Sequence, residues 1–284
     1  MKVEQIMAAL SKIFLFSVLS AVHLCASADD FTVGEITVPR GERVSGFINV
    51  PEGMDEGTTI PVTVVHGASD GPVLALIAGI HGYEYPPITA LQAMRTQVDP
   101  AALSGTIILV HIANMPAFLG RTIYYSPVDG KNLNRMFPGD PDGSISQRIA
   151  HILTTEVIDQ ANYVVDLHAG DGNEALRPYV YMPVTGNAVF DIKTEGLAVA
   201  FGLDHIVMDT GPQHASGPSL FTDQTALERG IPAITTETGK SGSNDPYWVG
   251  LAERGIWNVL RHLDMISEDE VINTGITWLS DYKV

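Results

Sequence analysis

The chain is poor in cysteine: Cys25 stands alone among 284 residues, so no disulfide can close within it and no thiol offers itself as a nucleophile. It is also poor in basic residues. Sixteen Lys and Arg face 33 Asp and Glu, giving a net charge of −17. So acidic a chain is repelled by phosphate backbones and anionic lipid, which argues against nucleic acid as a partner. No apolar run reaches the ~20 residues that a spanning helix needs, so stable membrane insertion is not expected. A Gly-x-Ser-x-Gly elbow and a phosphate-binding Gly-x-x-x-x-Gly-Lys loop are both missing, which removes serine-esterase and P-loop chemistry.

The N-terminus is the first thing present. Lys2 and Lys12 precede an uncharged stretch, residues 13–28, that ends in Ala26-Ser27-Ala28 and is followed by Asp29-Asp30. A short apolar segment closed by a small-x-small site reads as a signal peptide cut after Ala28, and implies an exported protein, periplasmic or secreted. Its removal takes Lys2, Lys12 and Glu4 and leaves the remainder one unit more negative. It also takes the only cysteine. Residues 29–284 are long enough for one domain that buries roughly three quarters of its unfolded surface.

Short apolar runs alternate with amphipathic ones. Residues 31–65 show strand-like alternation broken by Gly and Pro, an N-terminal β segment packed on a main sheet. Residues 73–78, 106–111, 163–168, 177–182, 205–208 and 231–236 read as strands. Residues 144–160, 220–230 and 247–263 read as helices. The pattern implies an α/β fold with a mixed central sheet and helices on both faces.

Polar residues gather where these strands end. Gly79-Ile80-His81-Gly82-Tyr83-Glu84-Tyr85-Pro86-Pro87 follows the run Val73–Ala78, and its Pro-Pro pair suits the first turn of a helix. His81 and Glu84 thus sit between a strand end and a helix, where α/β ligand sites collect. An imidazole and a carboxylate three residues apart can grip one ion, and a second imidazole completes the His₂Glu set of a hydrolytic zinc site. His168 ends Tyr163-Val164-Val165-Asp166-Leu167-His168. Asp166 shares its strand face and can orient a ligand imidazole. Between these lies Asp129-Gly130-Lys131-Asn132-Leu133-Asn134-Arg135-Met136-Phe137-Pro138-Gly139, where the Arg135 guanidinium beside an amide suits bidentate capture of a carboxylate. A further strand, Ile231–Thr236, ends at Glu237 before Thr238-Gly239. His66, His111, His151, His205 and His262 read as packing or surface residues. The Gly-rich loop around His214 reads as a lid over the site.

The series His81-x-x-Glu84, Asn132-Leu133-Asn134-Arg135, Asp166-Leu167-His168 and Thr236-Glu237-Thr238-Gly239 resembles the succinylglutamate desuccinylase/aspartoacylase family, relatives of the zinc carboxypeptidases. The resemblance covers nearly everything after Asp29. Gly120-Arg121, Ser126-Pro127-x-Asp129-Gly130 and Phe137-Pro138-Gly139 look like the branch that deacylates N-acetyl-diaminobutyrate. The resemblance implies a zinc carboxypeptidase-like fold and one Zn²⁺ per chain on His81, Glu84 and His168. It implies Glu237 as general base, Asn134 and Arg135 as binders of the substrate carboxylate, and Arg121 as the group that steadies the oxyanion. It also implies a substrate-contacting tyrosine late in the chain, for which Tyr163, Tyr179, Tyr181, Tyr247 and Tyr282 are available. The expected function is zinc-dependent hydrolysis of the amide bond of a small N-acyl amino acid. Two alternatives stand beside it: a zinc carboxypeptidase trimming short or cell-wall peptides, and a non-catalytic metal or ligand binder. The acyl group, the amino acid and the oligomeric state are not legible at this level.

Overall fold

The computed structural model describes residues 30–210, 221–271 and 274–280. The signal-peptide and cleavage expectations at residues 1–28, the His214 loop and Tyr282 lie outside them. In chain order the elements are β1 (Phe31–Val33), β2 (Ile36–Val38), β3 (Glu42–Val50), β4 (Thr58–His66), β5 (Ser69–Ala78), α1 (Tyr85–Gln97), β6 (Ser104–Val110), α2 (Met115–Gly120), α3 (Ile145–Glu156), β7 (Tyr163–His168), β8 (Tyr179–Pro183), α4 (Ala188–Phe201), β9 (His205–Asp209), α5 (Thr222–Glu228), β10 (Ala233–Glu237), α6 (Pro246–His262) and β11 (Thr277–Leu279). Single 3₁₀ turns cover Leu133–Arg135 and Ile158–Gln160.

Nine strands form one mixed sheet in the order β11-β9-β8-β10-β7-β5-β6-β4-β3, and β1-β2 form a separate hairpin. Its centre is parallel: β6, β5, β7 and β10 run one way. Antiparallel pairing begins on either side, at β8 against β10 and at β4 against β6. Parallel strands buried on both faces read as continuous apolar runs, and Leu74 to Ala78 are all fully buried. Their side chains still sort by parity. Ala75 and Ile77 join a core under the β1-β2 hairpin and α3, whereas Leu74, Leu76 and Ala78 join one under α1, α4 and α6. Helices therefore cover both faces, as an α/β sheet requires.

Some elements depart from the sequence expectation, which contained neither α2 nor β11. The helix expected over 144–160 stops at Glu156 and continues as the 3₁₀ turn. The helix α4 was not anticipated, because Gly196 interrupts it and its exposed Val189 and Ile192 and buried Thr194 blur the spacing of its apolar face. Gly196 is there for packing: a Cβ on it would lie 2.7 Å from His262 Nε2 on α6.

The register decides the site. In β7 and β10, Thr235 pairs with Asp166 and Glu237 with His168. Ala78 at the end of β5 pairs with Leu167. Three adjacent parallel strands thus end side by side, and the chain beyond each end turns over one edge of the sheet.

Candidate metal centre

The loop leaving β5 is forced into a tight path. Gly79 has φ +71, and a Cβ on Gly82 would fall 2.1 Å from the backbone nitrogen of Phe118 in α2. Only glycine allows both the left-handed turn and that approach. The path ends at Glu84, which caps α1 and turns its carboxylate inward.

Glu84 is the hub. Its Oε1 lies 2.7 Å from His81 Nδ1, and its Oε2 lies 2.8 Å from His168 Nδ1. The three side chains are buried, and one ligand atom from each lies within 4.8 Å of the others. The far nitrogen of each ring also faces an acceptor: His81 Nε2 is 3.0 Å from Asn132 Oδ1, and His168 Nε2 is 3.1 Å from Asp166 Oδ2. The Asn132 oxygen is identified by the Asn134 backbone N–H, which donates to it at 2.9 Å. With Nε2–H donating outward, each Nδ1 is left with a lone pair aimed at a carboxylate oxygen. Two lone pairs facing one carboxylate repel unless positive charge lies between, either two protons or one divalent ion. The donor set therefore fits a metal, with outer acceptors fixing the tautomers as metal-binding imidazoles require. The metal-free electrostatics show the same demand. Burial alone would raise the Glu84 carboxyl, but the charges of His168 and His81 outweigh it and hold it at about 2. Burial works against charge on His168 too, and Asp166 and Glu84 lift it well above its ordinary value.

Glu237 stands beside this cluster without a bond to it. Its Oε2 is buried with no partner among the described residues. Burial, then the charge of Glu84, push its carboxyl well above the usual range; a divalent cation on the cluster would oppose that push.

These groups line one cavity of about 410 Å³, whose walls are His81, Glu84, His168, Glu237 and Thr235 at the strand ends and Asn132, Asn134, Arg135, Tyr124, Tyr125, Glu174 and Phe221 on the loops. That size suits a small metabolite. Asn134 is buried, and its Oδ1 accepts from the Thr222 N–H at 3.1 Å and the Thr222 hydroxyl at 3.2 Å. Its Nδ2 lies 3.5 Å from His168 Nε2; with the Nε2–H donating to Asp166 both nitrogens are donors, so this is packing, not a bond. Arg135 is held by its own Nη1 on the Asn134 carbonyl at 2.6 Å and lies 4.4 Å over the Phe221 ring.

Two expectations are placed elsewhere. Arg121 is exposed at the left-handed end of α2 and lines a neighbouring cavity with Tyr83, Tyr85, Phe118, Leu119 and Asn244; the guanidinium facing the site is that of Arg135. Tyr163, Tyr179, Tyr181 and Tyr247 do not line the site cavity either. Its tyrosines are Tyr124 and Tyr125, which reach it from the loop after α2. Tyr124 takes φ 57, donates its N–H to Asp171 Oδ2 at 2.9 Å and packs edge-on against His81. Burial, then a hydrogen bond with Glu174, push its phenol up to about 12, so it stays neutral, and its hydroxyl donates to Asn173 Oδ1 at 2.8 Å.

Residues 70–263 match the family model described as the succinylglutamate desuccinylase/aspartoacylase catalytic domain. The N-alpha-acetyl-L-2,4-diaminobutyric acid deacetylase of Halomonas elongata is 37% identical over 227 residues, which cover 78% of this chain and 64% of that protein. The chain thus spans less than two thirds of this relative's length. A succinylglutamate desuccinylase/aspartoacylase from Rhodobacter sphaeroides superposes with a TM-score of 0.72 at 31% identity, covering 80% of this chain and 67% of the other. The ectoine utilization protein EutE (DoeB) from Ruegeria pomeroyi, in a product-bound structure, gives 0.75 at 26% identity, covering 86% and 73%.

Proposed function

The chain belongs to the succinylglutamate desuccinylase/aspartoacylase family, and from that premise we propose that it hydrolyses the amide bond of small N-acyl amino acids, with one zinc ion held by His81, Glu84 and His168. The observation that carries this reading is the pair of imidazoles turned toward one buried carboxylate, their outer nitrogens each on an acceptor. Zinc in such a cradle supplies a Lewis acid that polarises the acyl carbonyl and lowers the pKa of a water toward ~7.

The chain's own residues do the rest. Glu237, set in register beside His168, takes the proton of the attacking water and returns it to the departing amine, a role worth roughly 10²–10⁴-fold. Arg135 presents its planar fork to the substrate carboxylate, fixing which amide bond meets Glu237. Asn132 and Asp166 keep the two imidazoles turned, and Asn134 anchors the 3₁₀ turn that carries Arg135 to the start of α5. The tetrahedral oxyanion needs a donor; the Tyr124 phenol, which lines the cavity beside His81 and donates to Asn173 Oδ1 at 2.8 Å in this structure, would supply one by turning from that acceptor.

The test is a panel of N-acyl amino acids and dipeptides assayed with zinc-loaded protein, acetylated diamino acids first in view of the Halomonas elongata relative. Cleavage of the acyl amino acids over the dipeptides is the expected result. Cleavage of dipeptides alone would replace this reading with a carboxypeptidase, and cleavage of neither would reduce the site to metal binding.

A further inference from the structure

Tyr124 presents its phenol from an awkward backbone. Its φ of 57 is rare for a residue with a bulky side chain, and the Tyr125 N–H donates to the Ile123 carbonyl at 2.6 Å across it. A three-residue turn closed at positive φ is the strained γ form, and such strain persists only where the surroundings over-determine it. One short turn beyond β7, residues 171–174, does so. Asp171 Oδ2 accepts from the Tyr124 N–H at 2.9 Å, and Asn173 Oδ1, in the same turn, accepts from the Tyr124 hydroxyl at 2.8 Å. The tyrosine is thus held at its backbone and at its ring tip by one segment.

That turn is itself firm. Asp171 is fully buried, its Oδ1 accepts from the Gly172 N–H at 2.6 Å, and its own N–H donates to Glu174 Oε2 at 3.0 Å. The Glu174 N–H donates to the Asp171 carbonyl at 2.8 Å, and the Glu174 carbonyl accepts from the Ser241 N–H at 2.7 Å. The two holds on Tyr124 differ in kind. Asn173 is exposed, and a phenol on an exposed amide can trade that acceptor for water or substrate, whereas an N–H on a buried carboxylate makes the stronger, charge-assisted bond. Resting on the deacylase reading above, we propose that Asp171 is a positioning residue of the reaction. It fixes the Tyr124 backbone, so that a side-chain rotation alone carries the phenol from Asn173 toward the reacting carbonyl oxygen. Asp171 does not line the cavity and acts through Tyr124.

The experiment is a double-mutant cycle between the two residues, run on zinc-loaded protein with the N-acyl amino acid that wild type cleaves fastest. Tyr124→Phe should lower kcat by roughly 10²-fold, the scale for one oxyanion donor. Asp171→Ala should lower kcat by about tenfold or more with KM little changed, and should cost less than about threefold beside Tyr124→Phe, because residues that act through one another are not additive. Asp171→Asn keeps an oxygen for the Tyr124 N–H but gives up the charge. Its loss should be smaller, about threefold to tenfold, and equally absent beside Tyr124→Phe, so it carries the cycle if the alanine variant melts early. Hydrogen exchange at the Tyr124 amide is a readout independent of turnover: it should quicken in the Asp171 variant while the amides of β7 keep their wild-type rates. Equal losses in both Tyr124 backgrounds overturn the assignment and leave the deacylase reading standing. So does a Tyr124→Phe enzyme with wild-type kcat, or a Tyr124 amide whose exchange Asp171 does not affect. Wild type that cleaves no N-acyl amino acid overturns both.

Discussion

A carboxylate that must take a proton from water and hand it on works best where its surroundings favour the protonated form, and Glu237 has such surroundings: burial first, then the neighbouring charge of Glu84. Glu237→Gln keeps shape and reach but cannot accept the proton. Its kcat should fall by roughly 10² or more, with zinc content and melting temperature unchanged; a kcat within about threefold of wild type would amount to under ~1 kcal/mol of barrier and remove Glu237 from the reaction. This residue was legible in the sequence, as were His81, Glu84 and His168, because each ends an apolar run and a strand end fixes where its side chain goes. Of the residues that come to the site from irregular segments, Asn134 and Arg135 were named through the family resemblance, whereas Tyr124 and Glu174 were not. Tyr124 and Glu174 belong to loops whose course depends on Asp171 and Ser241, far off in sequence. Strand tyrosines such as Tyr181 advertise themselves by pattern but, among the described residues, do not line the cavity, whereas Tyr124 reaches it through a left-handed turn no pattern reveals.

Among the elements, α3 owes its placement to a residue that the sequence presents only as the start of an Asp-Gly turn. Asp129 accepts from the Ser144 hydroxyl at 2.7 Å, the Ser146 N–H at 3.0 Å and the Ser146 hydroxyl at 2.9 Å, across the start of α3. It also accepts from the Lys131 N–H at 3.2 Å, tying the helix to the loop that carries Asn132 and Arg135. Burial alone would raise its carboxyl, and these donors together hold it below its ordinary 3.8. A depressed carboxyl contributes stability that is present above the unfolded value and lost as pH falls through the folded one. Asp129→Ala should therefore cost roughly 2–3 kcal/mol in urea unfolding at pH 7, and the gap from wild type should narrow below pH 3.8. A gap that stays constant on acidification would assign the loss to packing instead. Elsewhere, amphipathic α6 was readable because one face is apolar. The helix α4 was not, since exposed Val189 and Ile192 and buried Thr194 leave it no clean apolar stripe.

At the scale of the whole molecule, a chain with one cysteine and a charge of −17 gains no covalent cross-link, and the candidate metal site takes over part of that role. Glu84 and His168 lie 84 residues apart, so one ion would clasp the β5 and β7 ends of the sheet. Binding at 100 to 1,000 times Kd stabilises by about 2.7–4.1 kcal/mol, which for a domain of this size shifts Tm by roughly 5–15 °C. Chelation should lower the melting temperature by that much and zinc should restore it, while His168→Ala should show neither response in the same scan. Identical melting of chelated and zinc-loaded wild type would sink the assignment of the site to a metal. The mixed sheet with helices on both faces was legible from the alternation of runs. The strand order was not, because the reversal at β8 depends on pairing between segments with nothing in their composition to announce it.

The side-by-side ending of β5, β7 and β10 makes the site a gauge of alignment. A slip of one residue in β10 against β7 would turn Glu237 to the opposite face and bring Thr236 in its place. A slip of two would carry its carboxylate about 6.6 Å along the strand. Either error leaves Ala233 and Ile234 near apolar neighbours, so such a chain could be compact, acidic and helical, and still be inert. Turnover per mole of folded protein therefore counts the molecules whose central strands have locked in the correct phase, a form of fidelity that circular dichroism and chromatography do not see.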